Sequence, residues 1–142
     1  MTSAKPFSGA KIALINGDDI LCYVRDDKPG IPWRGYWDLP GGGREGDETP
    51  QQCVLREVEE EFALSLTPDI IGYARAYPSV EHEGMESWFF AALLQDHDIE
   101  RIKFGSEGQY WRMRPTGDFI RDESSVPYLT DRLSEYLTSG SR

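Results

Sequence analysis

Residues 49–62, TPQQCVLREVEEEF, constrain this chain more than any other stretch. Thr49 is an N-cap residue, Pro50 suits the first helical position, and Gln52 follows the cap by three, which completes a capping box. Asp47 and Glu48 place negative charge at the positive end of the helix dipole. The pattern predicts a helix over about Pro50–Phe62. Val54, Leu55, Val58 and Phe62 form one apolar stripe that should pack on a sheet. Glu57, Glu60 and Glu61 recur at i, i+3 and i+4 and share a different face.

That second face is physically awkward. Like charges at these spacings each cost a helix roughly 0.2–0.5 kcal/mol. They also sit in the last turns, where the dipole disfavours anions by about 0.3–1 kcal/mol each. Arg56 can pair with Glu60, but one arginine cannot neutralise Glu57, Glu59, Glu60 and Glu61 together. A solvated acidic face is the ordinary explanation for such a run. Here the charges occupy the wrong end of the helix, and a glycine-rich turn, Gly41-Gly42-Gly43, precedes it. Hard cations such as Mg²⁺ and Mn²⁺ prefer oxygen ligands and bridge carboxylates to phosphates. Position and context therefore favour a metal site.

The spacing resembles the Nudix hydrolase box, a glycine, five residues, a glutamate, seven residues, then R-E-U-x-E-E-x-G-U with U a bulky aliphatic. Gly42, Glu48, Arg56, Glu57, Val58, Glu60, Glu61 and Leu64 fall in place. Ala63 stands where the family has glycine, which costs on the order of 1 kcal/mol if the backbone there is left-handed. The resemblance extends to Trp37-Asp38-Leu39-Pro40-Gly41-Gly42 and more loosely to the whole chain. It implies an α/β fold, an α/β/α sandwich with a mixed β-sheet between helices, as one domain over residues 1–142. It also implies Mg²⁺- or Mn²⁺-dependent hydrolysis of a nucleoside diphosphate linked to another group. By position it makes Glu57, Glu60, Glu61 and the Gly41 carbonyl metal ligands, with Arg56 orienting the glutamates together with Glu48, and Gly42 in support. Glu107, in Gly105-Ser106-Glu107-Gly108-Gln109, resembles a glutamate of the MutT-type branch that serves as ligand or base. Catalysis thus falls to Glu57, Arg56 and Glu107, with Glu57 and Glu107 rivals for the general base.

Composition limits the alternatives. With 25 acidic and 15 basic residues the net charge is −10, which argues against a duplex nucleic-acid surface and suits a protein that reaches phosphates through cations. Cys22 and Cys53 do not suggest a disulfide framework, and no leader or apolar run of transmembrane length is evident. A cytoplasmic protein, monomer or homodimer, with a small nucleotide derivative as partner and no membrane, is the expectation. His82 and His97 lack a partner at zinc-ligand spacing. The glycine turn lacks the ending of a P-loop.

Elsewhere the patterns predict a hairpin of Ala10–Asn16 and Ile20–Arg25, a loop over 26–35, a short strand over Gly35–Leu39, and a turn at Pro40–Gly43. Further strands are expected at Ile70–Tyr77, Ser87–Leu94 and Gly108–Met113, and a closing helix over Ser124–Leu137. Trp33 and Tyr36 are candidates for stacking on a base, and Arg34 and Arg44 for meeting phosphates. Tyr73, Arg75 and Tyr77 alternate and either line substrate or pack. The asparagine that reads an oxidised base in the MutT-type branch aligns near Ser125, which weakens that substrate assignment; ADP-ribose, NADH, diadenosine polyphosphates and nucleotide sugars stay open. Two other readings remain: a Nudix-fold module that binds nucleotides without cleaving them, favoured only by Ala63, and a purely structural acidic helix.

Overall fold

Strand β1, Phe7–Asn16, organises the architecture, and the computed structural model describes residues 5–139. Its alternation is the reason. Ile12 and Leu14 point to one side and Ala13 and Ile15 to the other, and all four are buried. A strand apolar on both faces must lie inside a sheet covered on both sides. β1 runs parallel to β6, Glu86–Leu93, along nearly its whole length. On its other edge it divides its partners. Gly9, Ala10 and Lys11 pair with β4, Gly41–Gly43, while Ile15 and Asn16 pair with β2, Asp19–Val24.

The sheet is completed by β3 (Trp37–Asp38) and β7 (Tyr110–Pro115) on β2, and by β5 (Ile71–Pro78) at the edge beyond β6. Between these strands, all pairings except β1–β6 are antiparallel, so the sheet is mixed. Helix α1, Pro50–Phe62, covers one face, where Cys53, Val54, Val58 and Phe62 meet Ile12, Leu14, Leu21 and Phe90. The other face is covered by α3 (Thr116–Arg121) and α4 (Pro127–Thr138), through Phe119, Leu129, Leu133 and Tyr136 against Ala13, Ile20, Cys22 and Phe89. A five-residue helix α2, Asp96–Glu100, follows β6. This is the expected α/β/α sandwich. No helix among the described residues is long and apolar enough to cross a membrane.

Three expectations need correction. The glycines at 41–43 form a strand, not a turn, because bare backbone can lie against β1: a Cβ on Gly41 would stand 2.1 Å from the Ala10 carbonyl oxygen, and one on Gly9 2.5 Å from that of Gly42. The strand expected over 35–39 shrinks to two residues. Two short helices, α2 and α3, and a 3-10 turn at Pro68–Ile70 were not anticipated; each is too brief to show a periodic stripe. Tyr73 and Tyr77 serve packing: Tyr73 lies 4.8 Å from the Tyr136 ring, and Tyr77 bonds Glu135 on α4.

Candidate active site

Helix α1 lies on β4, whose three glycines put no side chain of their own against it, and this brings the helix carboxylates onto bare backbone. Both capping-box bonds form, and Thr49 Oγ1 accepts from the Gln52 amide at 3.2 Å. The register so fixed sets Glu57 over Gly42, where an added Cβ would stand 2.6 Å from the carboxylate carbon. One turn later, Glu61 accepts the Gly41 N–H at 3.1 Å and is only 8% exposed. Burial pushes the Glu61 carboxyl up to about 8, against the pull of Lys11 and the Gly41 amide. Burial also raises Glu57, opposed by neighbouring Arg56. Both carboxyls are held out of water, and neither is fully compensated for carrying its charge.

Arg56 binds this region together. Its Nε and Nη2 meet both oxygens of Glu48 at 2.5 and 3.1 Å, and Nη2 also donates to the Gly43 carbonyl at 2.8 Å. Its Nη1 reaches Glu57 and Glu60, each at 3.1 Å. Bidentate pairing of this kind fixes direction as well as distance. The β4–α1 loop, β4 itself and the helix thus share one guanidinium.

Glu107 reaches the same cleft by a different route. The segment before β7 is docked on the end of α1, with the Lys103 amide donating to Phe62 O and the Gly105 amide to Glu61 O. Glu107 then lines a cleft of about 650 Å³ together with Glu57, Glu61 and Gly41–Gly43. Glu60 does not line it; its side chain is 57% exposed and lies on Arg56. Glu59 is exposed and accepts from Ser65.

A second group escaped sequence reasoning. Asp38, 2% exposed, accepts from Lys11 Nζ at 3.0 Å, Arg25 Nη1 at 2.8 Å and the Tyr23 hydroxyl at 3.2 Å. Burial opposes its charge, but the two cations hold its carboxyl below the usual range. Lys11 is fixed further by the carbonyls of Leu39 and, at 3.4 Å, Gly41. Lys11, Arg25 and Lys28 are the cations lining the carboxylate cleft. The candidates Arg34 and Arg44 are elsewhere. Arg34 pairs with Asp27 at 2.8 Å, and Arg44 lies over the Phe7 ring and bonds the Glu48 carbonyl. Trp33 lines an adjoining pocket and packs on Tyr36, which lines neither. Ser125 is closed off, donating to the Phe119 carbonyl at 2.6 Å.

Among the described residues, no three His, Cys, Asp or Glu side chains gather closely enough to hold a metal alone. The donor set still fits a hard cation. Mg²⁺ is commonly held by one or two carboxylates, waters and substrate phosphates rather than by an all-protein cage, and the cleft offers desolvated carboxylates beside a backbone carbonyl. Ala63 takes the left-handed conformation, φ 58° and ψ 34°, and its amide bonds Glu59 O at 2.9 Å. The helix ends there as with glycine, and Ala63 does not line the cleft. The sole residue favouring a silent module therefore leaves the carboxylate face intact.

The family model of the NUDIX domain matches residues 5–126. An RNA pyrophosphohydrolase of Zymomonas mobilis is 30% identical over 122 residues, covering 74% of this chain and 76% of that protein. An 8-oxo-dGTP diphosphatase of Proteus vulgaris is 48% identical over 33 residues, 23% of this chain and 30% of its own length. The chain thus spans less than a third of that relative. Among solved structures, a MutT protein from Methanosarcina mazei Go1 superposes with a TM-score of 0.75 at 19% identity, covering 99% of this chain and 100% of that one. The chain belongs to the Nudix hydrolase family.

Proposed function

We propose that the chain, as one Nudix domain over residues 1–142, is a Mg²⁺- or Mn²⁺-dependent pyrophosphohydrolase acting on small nucleoside diphosphate derivatives. The observation that carries this is the pair of desolvated carboxylates, Glu57 and Glu61, opening with Glu107 on one cleft beside the Gly41 carbonyl. Glu57, Glu61, Glu60, Glu107 and the Gly41 carbonyl are the groups that would hold the cations, Glu60 by turning from Arg56 into the cleft. Bound Mg²⁺ or Mn²⁺ would neutralise phosphoryl charge and acidify a water molecule.

The chain's own part is placement and proton transfer. Arg56 and Glu48 hold Glu57 against Gly42, and Lys11 and Arg25 offer positive charge at the cleft wall. Glu57 takes the proton of the attacking water, with Glu107 the rival for that role. Water oxygen adds to phosphorus, a P–O bond of the anhydride breaks, and a nucleotide and a second phosphate-bearing group leave. The names of the relatives point to nucleoside triphosphates and to RNA. The net charge of −10 disfavours a long polyanion, so small nucleotides are the preferred class.

A panel of nucleotide derivatives, incubated with Mg²⁺, Mn²⁺ or chelator and resolved by product, tests the reading. Turnover should need metal, and Glu57→Gln and Glu60→Gln should each lower kcat/KM, the former by roughly 10²–10⁴-fold. Metal-independent turnover, or undiminished variants, would refute the mechanism. Tight nucleotide binding with no turnover would select the silent-module reading instead.

A further inference from the structure

The pocket beside the carboxylate cleft holds an unpaired cation. Arg132, on α4, is 5% exposed, and none of its partners among the described residues is acidic. Nη1 donates to Ser87 Oγ at 2.8 Å and Nη2 to the Pro78 carbonyl at 3.2 Å. The guanidinium carbon lies over the rings of Tyr77 and Tyr128 at 4.5 and 4.7 Å. Burial pulls Arg132 below the ordinary guanidinium value, opposed only by those two tyrosines. A desolvated charge of this kind is costly unless something completes it. Two of its five N–H donors are used and three are left. Because rings pack over the group, a ligand meets its edge.

The size and lining of the pocket limit the chemistry of that ligand. Its volume is about 270 Å³, and Trp33, Glu81, His82, Ser87, Tyr128 and Arg132 are among its walls. This is room for a base, not for a whole nucleotide with its phosphates. Lys11, Arg25, Gly42 and Gly43 line both this pocket and the carboxylate cleft, so a base here puts the attached diphosphate at the Gly42–Gly43 strand. Trp33 supplies an aromatic wall and holds a left-handed backbone, φ 54°, a conformation that for a bulky residue persists where the surroundings enforce it. A phosphate in this pocket would present only acceptors and would meet Glu81 unfavourably. A base edge presents acceptors to Arg132 and N–H groups to Glu81. Among bases, O6 and N7 of a 6-oxopurine are adjacent, coplanar acceptors that match a guanidinium edge. Adenine puts an amino donor where O6 would be.

We propose that this pocket binds a 6-oxopurine base and that Arg132 determines the specificity by reading its O6/N7 edge. The assignment rests on the pyrophosphohydrolase reading for the orientation of the rest of the substrate, and its test does not depend on turnover. Monophosphates carry no anhydride, so titration calorimetry of the full chain with GMP, IMP, AMP and ribose 5-phosphate reports the pocket alone. GMP and IMP should bind about tenfold or more tighter than AMP, and ribose 5-phosphate more weakly than either. Arg132→Leu should bring the GMP-to-AMP ratio close to one, a readout that loss of packing alone would not move, and Arg132→Lys should restore it only in part. Should Arg132→Leu fail to fold, the wild type decides: 2-aminopurine riboside 5′-monophosphate, which lacks O6, should fall to the level of AMP. Equal binding of GMP and AMP, ribose 5-phosphate binding as tightly as GMP, or an unchanged ratio in Arg132→Leu would overturn the assignment. If the titrations succeed while no derivative is hydrolysed, the pocket stands and the hydrolase reading falls; hydrolysis without base selectivity does the reverse.

Discussion

Ala63 holds a left-handed backbone because α1 must stop where the Leu64 side chain turns into the core, and the chain has no glycine there to do it cheaply. The left-handed conformation costs an alanine roughly 1–2 kcal/mol, partly offset because alanine leaves the unfolded chain less freedom than glycine. Ala63→Gly should therefore raise stability by about 0.5–1 kcal/mol in urea unfolding, with no change in kcat. Asp38 works at the same scale with higher stakes. It is the buried anion for both Lys11 and Arg25. Asp38→Asn should cost about 3–5 kcal/mol at pH 7, since it strands two cations in a wall shared by both pockets. The sign of the pH dependence follows from the depressed carboxyl. Asp38 contributes fully above the unfolded-state value near 3.8 and loses that contribution as pH falls through its lower folded value. The stability gap between wild type and Asp38→Asn should be constant from pH 7 to about 4 and close below it, as followed by urea midpoints across pH.

The functional unit at the level of elements is α1 laid on β4. Gly42 is the contact point, and the nearest atoms to an added Cβ there are the Glu57 carboxylate at 2.6–2.8 Å. Those atoms end a flexible side chain, so Gly42→Ala should fold with little loss of stability but swing the carboxylate away. Misplacement by about 1 Å can cost 10²-fold. Gly42→Ala should thus lower kcat/KM by about that factor while thermal unfolding barely moves; a proportionate loss of both would mean that the strand, not the carboxylate, had been disturbed. Helix α1 was legible in the sequence to its ends because every signal that starts and stops it is local: Thr49, Pro50, Gln52 and the apolar stripe. Its partner strand was not, since three glycines carry no alternating pattern, and their pairing comes from β1 some thirty residues earlier. The Lys11–Asp38 contact spans 27 residues and Arg132–Ser87 spans 45. No periodicity or motif links such positions. The sequence could name the carboxylates of one helix but not the cations that the fold places around them.

For the molecule as a whole, stability and function oppose each other at the carboxylate cleft. A chain of net charge −10 keeps Glu61 nearly buried, with its carboxyl pushed up to about 8 by desolvation. Such a group is a liability to the metal-free protein and an asset once a cation arrives. Binding to the folded chain alone stabilises it by RT ln(1 + [L]/Kd), about 2.7 kcal/mol at a hundredfold excess over Kd. At roughly 2–4 °C per kcal/mol for a chain near this size, Mn²⁺ or Mg²⁺ should raise the unfolding temperature by about 5–10 °C. Glu61→Gln reverses both halves of the trade. The amide keeps an acceptor for the Gly41 N–H and cannot ionise, so above about pH 8, where the buried carboxyl must carry its charge, the metal-free variant should melt at or above the wild-type temperature. The same variant should lose most of the metal-induced shift and most of the turnover. Scanning calorimetry with chelator and with saturating metal, on wild type and Glu61→Gln, separates this from a purely structural acidic helix. A structural role predicts a variant that melts lower and a wild type indifferent to metal. A crossing of the two melting temperatures on metal addition is the outcome that a ligand role alone produces.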